Sequence, residues 1–255
     1  NCMVATPLNK GLFQKAIAQS GASFSNNNVS LARAEEEGTK IMQSLNAPSV
    51  NDMRALPAEE LMKKVPPGLR GPIIDSYVLP DAIVNIFTQG KENKVALMTG
   101  WNQDEGLMFG PMKKAADFKK DMEKMYGADA QTLLQYYPAA TDEEAAASQL
   151  NLSRDQIFGA QNYTWANVES NKGSKVYVYR FTRKVPGTGE YAKYGAFHTG
   201  EVPYAYDNLK FVNRPWEAVD HELAKTMSEY WANFIKTGNP NGKGLSEDRK
   251  STRLN

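Results

Sequence analysis

Two short segments of this chain hold residue types that could do chemistry together. In Gly100-Trp101-Asn102-Gln103-Asp104-Glu105-Gly106, two acids sit in a glycine-bounded loop just after an apolar run. In Gly195-Ala196-Phe197-His198-Thr199-Gly200-Glu201-Val202-Pro203-Tyr204, one of the chain's two histidines sits in another such loop. A carboxylate that orients an imidazole, and an imidazole that moves a proton, are two of the three groups of a nucleophile–His–acid relay. The third group is missing. Gly-x-Ser-x-Gly, the pattern that lifts a serine on a sharp strand-to-helix turn, occurs nowhere in the 255 residues.

Each candidate also has a plain structural reading. Glu105 reads either as a solvated loop residue or as an acid that Gly100 and Gly106 allow to aim inward. Neighbouring loop side chains point apart, so one of Asp104 and Glu105 would face the site, and residue types alone leave open which. His198 reads either as a general base held by an acid at one ring nitrogen or as a loop histidine bonded to a backbone carbonyl. His221, beside Asp220 and Glu222, reads as surface or helix packing. Ser20 and Ser23 flank Gly21-Ala22 without the elbow pattern, and Cys2 has no histidine or helix N-terminus near it in sequence to activate it. Two distant histidines and one cysteine make no zinc spacing, and no metal or cofactor is implied.

The elements that must position these residues follow from periodicity. Lys15–Ser20 reads as a buried strand closed by Gly21, and Lys94–Thr99 as a second strand ending at Gly100. Lys175–Phe181, dense in Val and Tyr, is the strongest strand signal. Residues 31–45 read as a helix with Leu31, Ala34, Gly38, Ile41, Met42 and Leu45 on one face and Glu35, Glu36 and Glu37 toward water. Shorter helices are expected near 58–64 and 81–89, the second opened by Asp81 after Pro80. Residues 115–170 read as several helices broken at Gly127, Pro138 and Gly159. The clearest helix spans 216–236, with a core stripe of Val219, Leu223, Met227, Tyr230, Trp231 and Phe234 and a stop at Gly238. Buried strands separated by helices predict an α/β fold with a mostly parallel sheet and flanking helices, whose functional loops gather at the carboxyl ends of the strands. Both candidate loops fit that edge.

Composition narrows the function. Apolar content of 41% and charge of 23% are those of an ordinary globular chain. Lys plus Arg (30) nearly cancels Asp plus Glu (29), so charge offers no argument for nucleic acid or an anionic membrane surface. No apolar run approaches the ~18 residues of a membrane span. The single cysteine excludes an intrachain disulfide. No targeting segment is visible and the chain opens in mid-pattern, so localisation stays open, periplasm or secretion included.

Four segments, in order, carry a family resemblance: Pro7–Gly21, Gly100–Gly106, His198–Tyr204, and the closing Thr237-Gly238-Asn239-Pro240-Asn241-Gly242. The chain resembles the type B carboxylesterase family, in its bacterial para-nitrobenzyl esterase and cholinesterase branch, over the C-terminal half of that family's pattern. The resemblance implies a partial α/β-hydrolase fold, the triad order nucleophile, acid, histidine, and a small-molecule carboxylic ester as substrate. It assigns Glu105 as the triad acid and His198 as the triad histidine, and matches Ser20 to a supporting serine near the acid. The family's Gly-Glu-Ser-Ala-Gly elbow and its glycine-rich oxyanion loop would lie upstream of Asn1. Ser76 stands where the family's Asp-Gly-x-x-Leu-Pro motif has glycine. Residues 1–242 are therefore expected to be the C-terminal part of a single esterase domain. Lys243–Asn255 reads as a non-native tail, like translated adapter read-through, where the family has a Trp-Pro motif, a strand and a helix. The expected function is the acid and base of a Ser-His-Glu triad without its nucleophile, so the isolated chain is expected to be inactive. It is also expected to self-associate through strands that lack partners. The alternative is a fragment of a non-catalytic, carboxylesterase-like binding or adhesion protein, against which the retention of both Glu105 and His198 argues. Trp101, Met108, Phe109 and Phe197, in or beside loops 107–115 and 183–197, read equally as pocket-lining side chains or as ordinary core.

Overall fold

The computed structural model describes residues 1–24, 29–65, 71–106 and 111–247. In chain order the elements are α1 (Cys2–Ala5), β1 (Lys15–Gln19), β2 (Val29–Ser30), α2 (Leu31–Ser44), α3 (Val50–Ala55), α4 (Ala58–Lys64), β3 (Ile73–Ile74), α5 (Ile83–Thr88) and β4 (Ala96–Asn102). They continue with α6 (Ala115–Tyr126), α7 (Ala130–Tyr136), α8 (Asp142–Arg154), α9 (Ala160–Asn171), β5 (Val176–Phe181), α10 (Val202–Ala205) and α11 (Ala218–Thr237). The chain divides into two compact units: Asn1–Phe13 with Phe24–Lys94, and Gln14–Ser23 with Val95–Asn255. No helix among the described residues is long and apolar enough to cross a membrane.

In the first unit, β2 and β3 form a two-residue parallel pair. Its core gathers Val4, Ala5, Leu79, Ile83, Ile86 and Phe87, with Phe24 edge-on to Phe87 at 5.2 Å. Helix α2 forms as its periodicity predicts, capped by Ser30, whose hydroxyl accepts from Arg33 N–H, but none of its residues is fully buried. Glu37, expected in water, is half-buried and pairs with Arg33 and Lys40. Cys2 opens α1, so a helix N-terminus does stand at it; that helix is a single turn. Asp81 accepts from Ala82 N–H and Asn85 Nδ2, tightening the entry to α5.

The second unit is built on a fully parallel sheet of order β1-β4-β5. Strand β4 runs through Asn102, so Gly100 belongs to the strand and the acidic loop is shorter than its glycines suggested. Alternation along β4 turns neighbours to opposite faces. Met98 packs into a core with Trp231 and Phe234 of α11, while Thr99 Oγ1 donates to Asn162 Oδ1 of α9 at 2.6 Å. Tyr177 and Tyr179 of β5 meet Phe234 and Trp231 edge-on at 6.0 and 5.0 Å. Helices therefore cover both faces, as the α/β pattern predicts.

Two helical expectations need correction. Gly159 does not break the helix: α8 passes into α9 through a π-turn, Asp155–Gly159, which absorbs the irregularity without ending the helix. On α11, Met227, Trp231 and Phe234 are buried, but Val219 is exposed, and Asp220 with Ala224 takes the inner position. Asp220 goes inward because it is bonded there. Its carboxylate accepts from Arg183 Nε at 2.8 Å, Tyr204 Oη at 2.7 Å and Glu217 N–H at 2.9 Å. Gly238 ends α11 in the left-handed conformation, φ +75°, as its sequence position predicts.

Candidate active site

Three parallel strands deliver three loops to one edge. Ser20 follows β1, Asp104 and Glu105 follow β4, and the longer connection after β5 returns to His198. Glu105 is 1% exposed. Its Oε1 lies 2.7 Å from His198 Nδ1 and accepts a short hydrogen bond from Ser20 Oγ; its Oε2 accepts from Asn102 N–H at 2.6 Å. A carboxylate this buried requires such donors, because desolvation alone penalises its charge. Ser20 adopts φ +55°, and its hydroxyl addresses the acid rather than the base, which suits a support and not a nucleophile.

Glu105 and Asp104 do point apart, and both act on the histidine segment. Asp104 Oδ2 accepts from Ala196 N–H at 2.8 Å, while its own N–H donates to Ala196 O at 3.0 Å. Gly195 has φ +62°, a backbone conformation that favours glycine, and a Cβ there would stand 2.2 Å from Asp104 Oδ2 and force that side chain to shift. Gly106 is needed for close approach rather than for turning: a Cβ would meet Leu150 O at 2.2 Å.

The His198 side chain is 41% exposed. One face of its ring stacks on Phe158 at 4.8 Å and 21°. Phe158 lies in the π-turn, whose extra residue displaces the helix register beside the site. Past the histidine, Tyr204 is tied to Asp220, and Asp220 to Arg183, so the segment is anchored to α11. Burial pushes the Asp220 carboxyl up, but the bonds from Arg183, Tyr204 and Glu217 outweigh it and hold the carboxyl below its ordinary value.

Sequence reasoning missed Glu201, Asn102, Gln19 and Phe158. Glu201 is 2% exposed and lies between two amides: Oε1 accepts from Gln19 Nε2 at 2.9 Å, and Oε2 accepts a short bond from Asn102 Nδ2. Its position three residues past His198 was the only sequence signal. Phe158 had none, since a π-turn leaves no pattern in a helical run. Trp101 and Phe197 are half-buried. Phe197 packs against the α11 core with Arg214 at 5.0 Å from its ring, which gives it a packing role. Met108 and Phe109 lie outside the described residues. His221 is exposed, as its polar neighbours suggested. Among the described residues, no cluster of three or more His, Cys, Asp or Glu forms a metal site.

A family profile described as "Carboxylesterase family" matches residues 1–253. The chain belongs to the carboxylesterase family. Among this family chain's curated relatives are fumonisin B1 esterase of Sphingopyxis macrogoltabida, 27% identical over 93% of this chain and 46% of the relative, and para-nitrobenzyl esterase of Bacillus subtilis (strain 168), 26% identical over 96% of this chain and 52% of the relative. A solved structure of PNB esterase superposes with a TM-score of 0.73 at 25% identity, covering 96% of this chain and 53% of the esterase. The fold is thus part of an α/β-hydrolase fold. The chain spans about half the length of the curated relatives it matches.

Proposed function

We propose that this carboxylesterase chain supplies the acid and base of a serine carboxylic-ester hydrolase whose nucleophile and oxyanion donors come from sequence preceding Asn1. The observation that carries the reading is the 2.7 Å contact between Glu105 Oε1 and His198 Nδ1. With Nδ1 committed to a buried carboxylate, Nε2 is the nitrogen left to serve a serine.

The chemistry follows the ring's two nitrogens. A serine hydroxyl attacks the ester carbonyl as His198 Nε2 takes its proton; the C–O bond to the alcohol then breaks as Nε2 returns that proton to the leaving oxygen. Water repeats the sequence on the acyl-enzyme, releasing the acid and restoring the serine. Glu105 accepts the Nδ1–H bond throughout, holding one tautomer and stabilising the imidazolium. Ser20 and Asn102 N–H keep the carboxylate from turning. The pairing of acid and base favours this reading over a binding or adhesion role, which would have no use for a buried carboxylate on an exposed imidazole.

The test is hydrolysis of a nitrophenyl ester by the full-length gene product, with His198→Ala beside it and the gene read upstream of Asn1. Turnover lost in His198→Ala, together with an upstream Gly-x-Ser-x-Gly, is expected. Turnover indifferent to His198, or another residue at the serine, overturns the proposal. The 1–255 chain alone is expected to show no His198-dependent turnover.

A further inference from the structure

Asn102 is the last residue of the middle strand and is completely buried. Its main-chain N–H donates to Glu105 Oε2 at 2.6 Å. Its side-chain Nδ2 donates to Phe197 O at 2.8 Å, on the residue immediately before His198, and also to Glu201 Oε2. Glu201 is held from its other oxygen by Gln19, the last residue of β1. One residue therefore touches the acid, the backbone that carries the base, and a second buried carboxylate tied to the neighbouring strand.

We infer that Asn102 is a positioning residue for the Glu105–His198 pair, acting through the Phe197 carbonyl and Glu201; the inference rests on the function proposed above. The side chain's chemistry is specific to the task. Both groups facing Nδ2 are acceptors, so only a double donor satisfies them. Aspartate of the same shape would offer acceptors to acceptors and place a third carboxylate beside Glu105 and Glu201. Among the described residues no lysine or arginine pairs with Glu201; its two oxygens accept from the Gln19 and Asn102 amides. Asn102 Oδ1 is buried with no hydrogen-bond partner among the described residues, so the side chain's polar contribution runs through Nδ2. A site chosen only for packing has no reason to keep a buried, half-satisfied amide. The two links fix the 197–201 segment at both ends of His198: at the carbonyl before it, and at the carboxylate three residues after it.

The experiment uses the full-length gene product with Asn102→Asp, Glu201→Gln and the double variant, folding being checked by circular dichroism. The readout is the far-downfield proton resonance of the His198 Nδ1–H bonded to Glu105, assigned by its absence in His198→Ala. Asn102→Asp is expected to lose that resonance and to lower kcat about 100-fold with KM little changed, the scale of a small misplacement of a reacting group. Glu201→Gln alone is expected to keep the resonance, because Gln19 can turn its amide to match. The double variant is expected to recover the resonance and part of kcat, since the amide introduced at position 201 then donates to the carboxylate introduced at position 102. An unchanged resonance in folded Asn102→Asp, or a double variant no better than the single, overturns the inference. If Asn102→Asp does not fold, Asn102→Ala makes the same comparison without a new charge. If that also fails, Glu201→Gln decides: loss of the resonance there shows that charge, not a placed donor, holds the loop. A resonance that responds as expected beside ester turnover indifferent to His198 would remove the proposed function and leave the positioning role standing.

Discussion

Glu105 Oε1 lies 2.7 Å from His198 Nδ1, although 93 positions separate the two residues in the chain. The contact exists because β4 and β5 are adjacent and parallel, so the loops leaving both strands emerge on one edge. In the full-length protein, Glu105→Gln is expected to lower kcat by about 10³–10⁴-fold, as loss of the triad acid does in a serine protease. Asp104→Asn is expected to cost far less, because its remaining carbonyl can still accept from Ala196 N–H. Equal losses at both positions in a steady-state assay would mean that the acid is misassigned.

Ser76 holds φ +62°, at the position where the family resemblance has glycine. A left-handed conformation strains a residue with a Cβ by about 1–2 kcal/mol. Glycine relieves that strain and gives back about 0.4–1 kcal/mol through the more flexible unfolded chain. Ser76→Gly is therefore expected to stabilise the protein by roughly 0.5–1 kcal/mol. Urea unfolding checks it, and a loss of stability would show that the Ser76 side chain makes an offsetting contact.

Asp220 governs an acid-sensitive link. Its folded carboxyl lies below its ordinary value, so its stabilising contribution is complete above the unfolded aspartate value of about 3.9 and is lost as pH falls through the folded one. Asp220→Asn is expected to cost about 2 kcal/mol near neutral pH, less than the ~3–5 of a fully buried pair, because Arg183 is 27% exposed and keeps Glu217. The variant should also flatten the acid limb of a stability-against-pH curve. An unchanged acid limb would locate that sensitivity elsewhere.

Phe158 carries the face on which His198 stacks. Phe158→Leu keeps an apolar filling but loses the flat ring surface, and is expected to lower kcat more than it lowers thermal stability. Parallel kinetics and calorimetry separate the two effects, and a variant that loses only stability would leave Phe158 as core alone.

Strands β1 and β5 each pair only with β4 among the described residues, so both outer edges of the three-stranded sheet present open backbone groups. The isolated 1–255 chain is expected to self-associate. Size-exclusion chromatography with light scattering checks this, and a single monomeric peak with cooperative unfolding contradicts it.

Much of this architecture was legible in the residues themselves. The strands read at 15–20, 94–99 and 175–181 announced themselves through short apolar or β-branched runs, and α11 through its three- and four-residue spacing, because both periodicities are local consequences of backbone geometry. The structure forms those strands at 15–19, 96–102 and 176–181. The acidic loop and the histidine loop were visible as glycine-flanked islands of reactive side chains, and the resemblance chose Glu105 over Asp104. What no local pattern contained was the company those residues keep. Asn102 and Glu201 are ordinary polar residues until parallel pairing brings the ends of β1, β4 and β5 together and removes water from around them. The core stripe on α11 took in Val219 and passed over Asp220, because the pattern counts polarity and not partners; three donors turn Asp220 inward. Gly159 looked like a break because glycine weakens an isolated helix, but here the flanking helices persist and the irregularity survives as a π-turn that sets Phe158 against the imidazole. Sequence determined which segments form strands and helices and which side chains can react. The tertiary structure alone decided which of them are buried together, since burial and hydrogen-bond satisfaction depend on contacts made across dozens of residues.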